Sequence, residues 1–161
     1  MELFVASAYL YCFLIQRKRT SLIAVSAEIR NKPSISFGGC GFRYQFYIGI
    51  QQYCLDNFET KNISVLCSSG GVFAGVPLAL GFSAQDWMHN DWARVHQYMM
   101  ERILYVWLDT PDFLRDMWRR YLPDDAYKKC SGRLFIVVSR LTFYGFREDI
   151  ISEYKSNEEL I

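Results

Sequence analysis

Histidine is nearly missing from this chain: there are two, His89 and His96, among 161 residues. Both fall in an apolar, tryptophan-rich helical stretch, so zinc catalysis and histidine-based triads have no obvious donor set. The five cysteines, at 12, 40, 54, 67 and 130, are odd in number and form no C-x-x-C pair. That spacing provides neither a disulfide framework nor a metal knuckle, and implies reduced thiols in a cytosol-facing domain. Net charge is also small, +1 at neutral pH, so no bulk electrostatic argument favours a nucleic-acid partner. No aspartate is followed by glycine anywhere.

What is present is apolar and aromatic. Half of the residues are hydrophobic, with 12 Phe, 11 Tyr and 4 Trp, enough for the core of one domain of this length. The N-terminal segment, residues 1–32, reads separately. Its run Leu3 to Ile15 is almost wholly apolar and is followed by Gln16-Arg17-Lys18-Arg19. As a helix, thirteen residues reach about 20 Å, short of the roughly 30 Å hydrocarbon core of a bilayer. An interfacial or short membrane anchor, with the basic cluster at anionic headgroups, is the expectation. An element packed on the domain itself, or a true span, are the alternatives.

Residues 33–161 read as an α/β domain. Ser34 to Phe37 forms a short strand, which runs into Gly38-Gly39-Cys40-Gly41-Phe42-Arg43. Phe46, Ile50, Tyr53 and Cys54 recur at helical spacing from about Arg43 to Phe58. Ile63 to Leu66 is a second strand; it enters Cys67-Ser68-Ser69-Gly70-Gly71, and a small-residue helix runs to Leu80. Strand, glycine loop, helix, strand, sharp turn and helix make a βαβα unit with parallel strands. Both loops then leave the carboxyl ends of their strands and face one crevice, where open α/β sheets hold their ligands. Ser69 at such a bend is a candidate nucleophile. Gly39, Cys40 and Gly41 are candidate amide donors to an oxyanion.

Downstream, Ser83 caps a helix running to about Leu108, and Thr110-Pro111 is expected to start another that ends near Leu122-Pro123. The aromatic and Met stripe of these helices suits core packing, or an acyl-chain groove. Leu134 to Phe143 and Asp149 to Tyr154 read as a β-hairpin with a slightly long loop. Ser156-Asn157-Glu158-Glu159 fits a capping box, a helix start. With only Leu160-Ile161 after it, the sequence is expected to be cut there; a frayed polar tail is the alternative.

Ile35-Ser36-Phe37-x-Gly39-Cys40-Gly41-Phe42, Tyr47-x-Gly49, Ser68-Ser69-Gly70-Gly71, Leu122-Pro123-Asp124-Asp125-Ala126 and Ser131-Gly132-Arg133-Leu134 occur in that order. Together they resemble a patatin-like phospholipase domain, specifically the branch containing adipose triglyceride lipase and adiponutrin, over roughly residues 33–161. The resemblance implies a three-layer α/β/α sandwich with a mostly parallel sheet and a late β-hairpin. It also implies a Ser-Asp dyad, no cofactor and no metal, with a glycerolipid substrate, triacylglycerol or phospholipid, met at a membrane or lipid-droplet surface. Ser69 would attack the ester carbonyl, while the amides of Gly39, Cys40 and Gly41 stabilise the oxyanion. Arg43 matches an arginine of the broader pattern, with a solvated first-turn residue as the neutral alternative.

Two departures stand out. Cys67 occupies the first glycine position of the elbow, beside Gly70 and Gly71, and its β-carbon is expected to tilt the serine or relax the turn. The dyad aspartate, carried by the family in Asp-Gly-Gly or Asp-Gly-Ala, is absent. Asp86, Asp91, Asp109, Asp112, Asp116, Asp124, Asp125 and Asp149 fall on helices, caps or the hairpin. A serine without its base is a poor nucleophile, so this chain alone is expected to be nearly inactive. An inactive lipid-binding relative is the alternative, and a cysteine-dependent acyltransferase using Cys67 or Cys40 is a weaker third.

Overall fold

The structure, a computed structural model, describes residues 32–85, 89–91, 94, 97, 106–143 and 145–161. The expected N-terminal anchor at Leu3 to Ile15 and much of the helical stretch after Asp86 lie outside the described residues. Within them the protein is mixed α/β. Four strands form one sheet in the order β1-β2-β3-β4: β1 (Ser34–Phe37), β2 (Ser64–Ser68), β3 (Leu134–Thr142) and β4 (Gly145–Ile151). The first three are parallel, and β4 returns antiparallel to β3 as a C-terminal hairpin.

Where the helices cover it, the sheet is apolar. Val65, Cys67 and Leu134 are fully buried on one of its faces, level with Ile35, Phe37 and Ile136. Helix α1 (Tyr44–Asn57) connects β1 to β2, and α2 (Val72–Leu80) leaves β2; the two pack together. Six residues of α2 from Ala74 to Ala79 are buried, as expected for a helix apolar all round. A β-carbon added at Gly75 would stand 2.9 Å from Cys67 Cβ. This is the close backbone approach that explains a glycine in mid-helix.

The expected helix is present; α1 buries Tyr44, Ile48 and Gln51, and Ile50 and Cys54 pack partly buried against the core. Phe46 and Tyr53 face outward. The chain enters α1 through a 3₁₀ turn at Gly41–Arg43, closed by Arg43 N–H to Cys40 carbonyl at 3.1 Å, so the glycine loop fixes the helix's rotation. Gln51 is buried because its amide is used: it donates to Phe82 carbonyl at 2.8 Å and accepts from Ala84 N–H at 3.2 Å. A buried amide with both ends paired is tolerated, whereas an unpaired one is costly.

Ser83 Oγ accepts from Gln85 N–H at 3.2 Å, a local cap for the helical residues that follow. Helix α3 runs from Val106 to Tyr121 without the boundary expected at Thr110-Pro111. A proline in a helix forgoes one backbone bond; here the amphipathic stretch continues regardless, burying Met117 and Trp118. Trp118 stacks on Phe73 of α2 at 5.9 Å, and Phe73 meets Tyr44 of α1 at 4.6 Å. One aromatic column thus joins three helices.

A short helix, α4 (Ala126–Cys130), leads into β3. Arg133 then donates to the carbonyls of Ile63 and Thr60, tying the start of β3 to the entry of β2. The hairpin differs from expectation. Thr142 pairs with Gly145, leaving two residues between strands, and β4 ends at Ile151 instead of spanning Asp149 to Tyr154. Tyr154 instead turns inward, buried, with its hydroxyl donating between the carbonyls of Leu134 and Ile151 at 3.2 and 3.1 Å.

The expected start at Ser156 is present. Its side chain accepts from Glu159 N–H, opening α5 (Asn157–Leu160). Asn157 bridges Tyr127 N–H and Pro123 carbonyl, and Arg119 forks onto Glu158 at 2.8 and 3.0 Å. This isolated-looking turn is therefore held by α3 and α4, not by its own length.

Candidate active site

Register brings the two loops together. Phe37 is level with Cys67 in the parallel β1–β2 pair. Residues beyond them, Gly38 and Gly39 on one side and Ser68 and Ser69 on the other, therefore emerge side by side at the carboxyl end of the sheet. A β-carbon added at Gly39 would lie 3.7 Å from Ser69 Cβ and 3.9 Å from Ser68 Oγ. Tyr47 steadies the loop from below, its ring edge-on to Phe37 at 5.3 Å.

Ser69 itself is exposed and has φ 49°, a left-handed conformation unique among the described non-glycine residues. L-residues pay about 1–2 kcal/mol for that region, and such strain concentrates where a side chain must be presented. The chain passes from extended Ser68 (φ −145°, ψ 146°) through a 3₁₀ turn at Ser69–Gly71 into α2. The hydroxyl therefore stands at the tip of a strand-turn-helix bend, with the positive end of α2 behind it.

Two glycines permit the bend. A β-carbon at Gly71 would overlap the Phe37 carbonyl oxygen and stand 2.8 Å from that of Gly38; at Gly70 it would lie 3.0 Å from Cys40 Sγ. The turn after Ser69 is pressed directly onto the glycine loop, backbone to backbone. Gly39 thus borders the serine, while Cys40 and Gly41 lie against Gly70 after it, and the Gly39 amide has no backbone acceptor among the described residues.

The crowding expected from Cys67 is absorbed elsewhere. Cys67 is a β2 residue, 1% exposed, whose sulfur points at α2, where a side chain at Gly75 would meet it at 3.1 Å. The elbow keeps its left-handed serine. Burial pushes the Cys67 thiol up to about 12, helped by Cys130 nearby. Buried and held in its protonated form, this thiol is disfavoured as a nucleophile.

Among the described residues no base accompanies Ser69. Among the described residues no hydrogen bond joins its hydroxyl to an acid or an imidazole. Asp91, buried, is engaged by Tyr121 hydroxyl at 2.6 Å, Arg94 at 3.1 Å and Arg120 at 3.6 Å. Asp112, Asp116, Asp125 and Asp149 each pair with an arginine or lysine. Arg43 and His89 are exposed, while His96 lies outside the described residues. Among the described residues there is no cluster of three or more His, Cys, Asp or Glu able to hold a metal ion, and no helix long and apolar enough to cross a membrane. Compared with known proteins, the chain matches no family model, no curated protein and no solved structure.

Proposed function

We propose that this chain carries the nucleophile and oxyanion elements of a lipid acyl hydrolase of the patatin-like type, its sheet forming part of a three-layer α/β/α sandwich. The observation that carries this reading is Ser69 at φ 49° between β2 and α2, touching the glycine loop that follows β1. Ser69 Oγ attacks the ester carbonyl of a glycerolipid; the carbonyl π electrons move onto oxygen, and the amides of Gly39, Cys40 and Gly41 receive the oxyanion. Each such donor typically contributes about 3 kcal/mol in the transition state. Collapse of the tetrahedral intermediate expels the alcohol and leaves an acyl-serine, which water then hydrolyses.

The proton of Ser69 needs an acceptor, and the dyad aspartate of this reading is not among these 161 residues. The chain alone therefore retains only what positioning and the oxyanion amides supply, about 10³–10⁴-fold over water in serine enzymes stripped of a catalytic group. Its ester cleavage is expected to rise about tenfold per pH unit, because solvent hydroxide replaces the base. Ser69→Ala is expected to lower it to what the oxyanion amides and positioning supply without an acyl-serine. Hydrolysis of a short-chain nitrophenyl ester, followed across pH for both proteins, tests this. A plateau near neutrality would reveal a base in the chain that serves Ser69, and equal rates for Ser69→Ala would remove the serine from the chemistry.

One other reading is a lipid-binding relative that keeps the crevice without turnover. Lipid binding unchanged by Ser69→Ala, with no esterase activity at any pH, would select it.

A further inference from the structure

The β3–β4 hairpin does not stop where the sheet stops. Val137 is level with Ser68, yet β3 runs five residues further to Thr142, about 16 Å past the serine's end of the sheet at strand rise. The extension is banded. Phe143 at the turn is fully exposed, and the rung below it, Leu141 opposite Phe146, is 72% and 65% exposed. The next rung places Arg140 opposite Arg147, and only further down do Glu148 and Asp149 appear.

Three large apolar side chains at one exposed tip cost solvation free energy unless something covers them. Two like charges directly opposite each other in a sheet are also unfavourable. Asp149 relieves this partly: it binds Arg140 at 2.7 Å and reaches Arg147 at 3.8 Å. One carboxylate against two guanidiniums leaves that face positive, since alternation turns Glu148 to the other face. The arginine rung sits about 10 Å behind Phe143, close to the depth between acyl boundary and phosphate for an interfacially bound element.

We propose that the β3–β4 hairpin is an interfacial anchor, with Leu141, Phe143 and Phe146 entering a phospholipid surface and Arg140 and Arg147 at its phosphates. The tip extends from the same end of the sheet as Ser69, so anchoring turns the crevice toward the lipid. The inference extends the lipid-acting reading of Ser69, but stands on the hairpin's own chemistry.

Sedimentation of the full chain with phosphatidylcholine–phosphatidylglycerol vesicles tests it. Phe143→Ser and Leu141→Ser are each expected to weaken partitioning about tenfold, and Arg147→Gln about fivefold; Ser69→Ala leaves it unchanged. All four positions are exposed, and circular dichroism checks that each variant folds. Partitioning unaffected by the tip variants overturns the anchor, as does vesicle-independent self-association that Phe143→Ser dissolves. Loss of esterase activity with tip-dependent binding intact would instead remove the hydrolase reading and leave the anchor standing.

Discussion

Gly71→Ala is expected to cost about 3 kcal/mol of stability or more, a fall of roughly 10 °C in the thermal midpoint, and to suppress the reactivity of Ser69. The new methyl would sit on the carbonyl oxygen of Phe37 and 2.8 Å from that of Gly38. Neither obstacle can swing aside as a side-chain end would. Phe37 is held by its pairing with Cys67, and Gly38 follows it directly. Either the end of β1 moves or the turn at Ser69–Gly71 opens, and both separate the serine from the glycine loop. Gly49→Ala is the control: nothing lies within 4 Å of a β-carbon there, so helix propensity alone acts and adds about 1 kcal/mol. Differential scanning calorimetry with ester cleavage on both variants reads the two effects. A Gly71→Ala protein as stable as the parent would mean that the elbow and the glycine loop are not in contact.

The second large effect concerns the Cys67–Gly75 contact. Gly75→Ala is expected to cost about 2 kcal/mol by overpacking, since its methyl would stand 2.9 Å from Cys67 Cβ and 3.1 Å from Sγ. Cys67→Gly alone is expected to cost about as much, through a cavity and added chain freedom in the unfolded state. The double variant exchanges the small and large positions. It should be at least about 1 kcal/mol more stable than the sum of the singles predicts, the signature of residues sharing one space. Urea unfolding of the four proteins measures that coupling. Additive losses would contradict the packing by which Cys67 is accommodated behind an intact elbow.

Much of the sheet and its two loops was legible in the sequence, because short apolar runs closed by glycines have few other readings. Ser34–Phe37 begins and ends where its pattern does, and the Ser156 cap is a purely local signal. The failures are equally physical. The recurrence of Phe46, Ile50, Tyr53 and Cys54 marks α1 as a helix but not which of them face inward: Ile50 and Cys54 pack on the core, while Phe46 and Tyr53 face solvent. The start of β4 was missed because Phe146 to Asp149 lies on a hairpin open to solvent, where no alternation of apolar and polar residues is enforced. Pro111 marked a boundary that the helix does not observe. At the candidate site, Ser69 and the glycines could be named from their spacing. That Cys67 is received by Gly75 could not, because the partner lies eight residues on and meets it only once α2 folds back over β2.

The most direct test of the central claim is to react the chain with a fluorophosphonate ester and locate the adduct by peptide mass spectrometry. Phosphonylation is expected at Ser69, slow at neutral pH, faster by about tenfold per pH unit, and absent in Ser69→Ala. An adduct on another residue, or none at any pH in a folded protein, would contradict it.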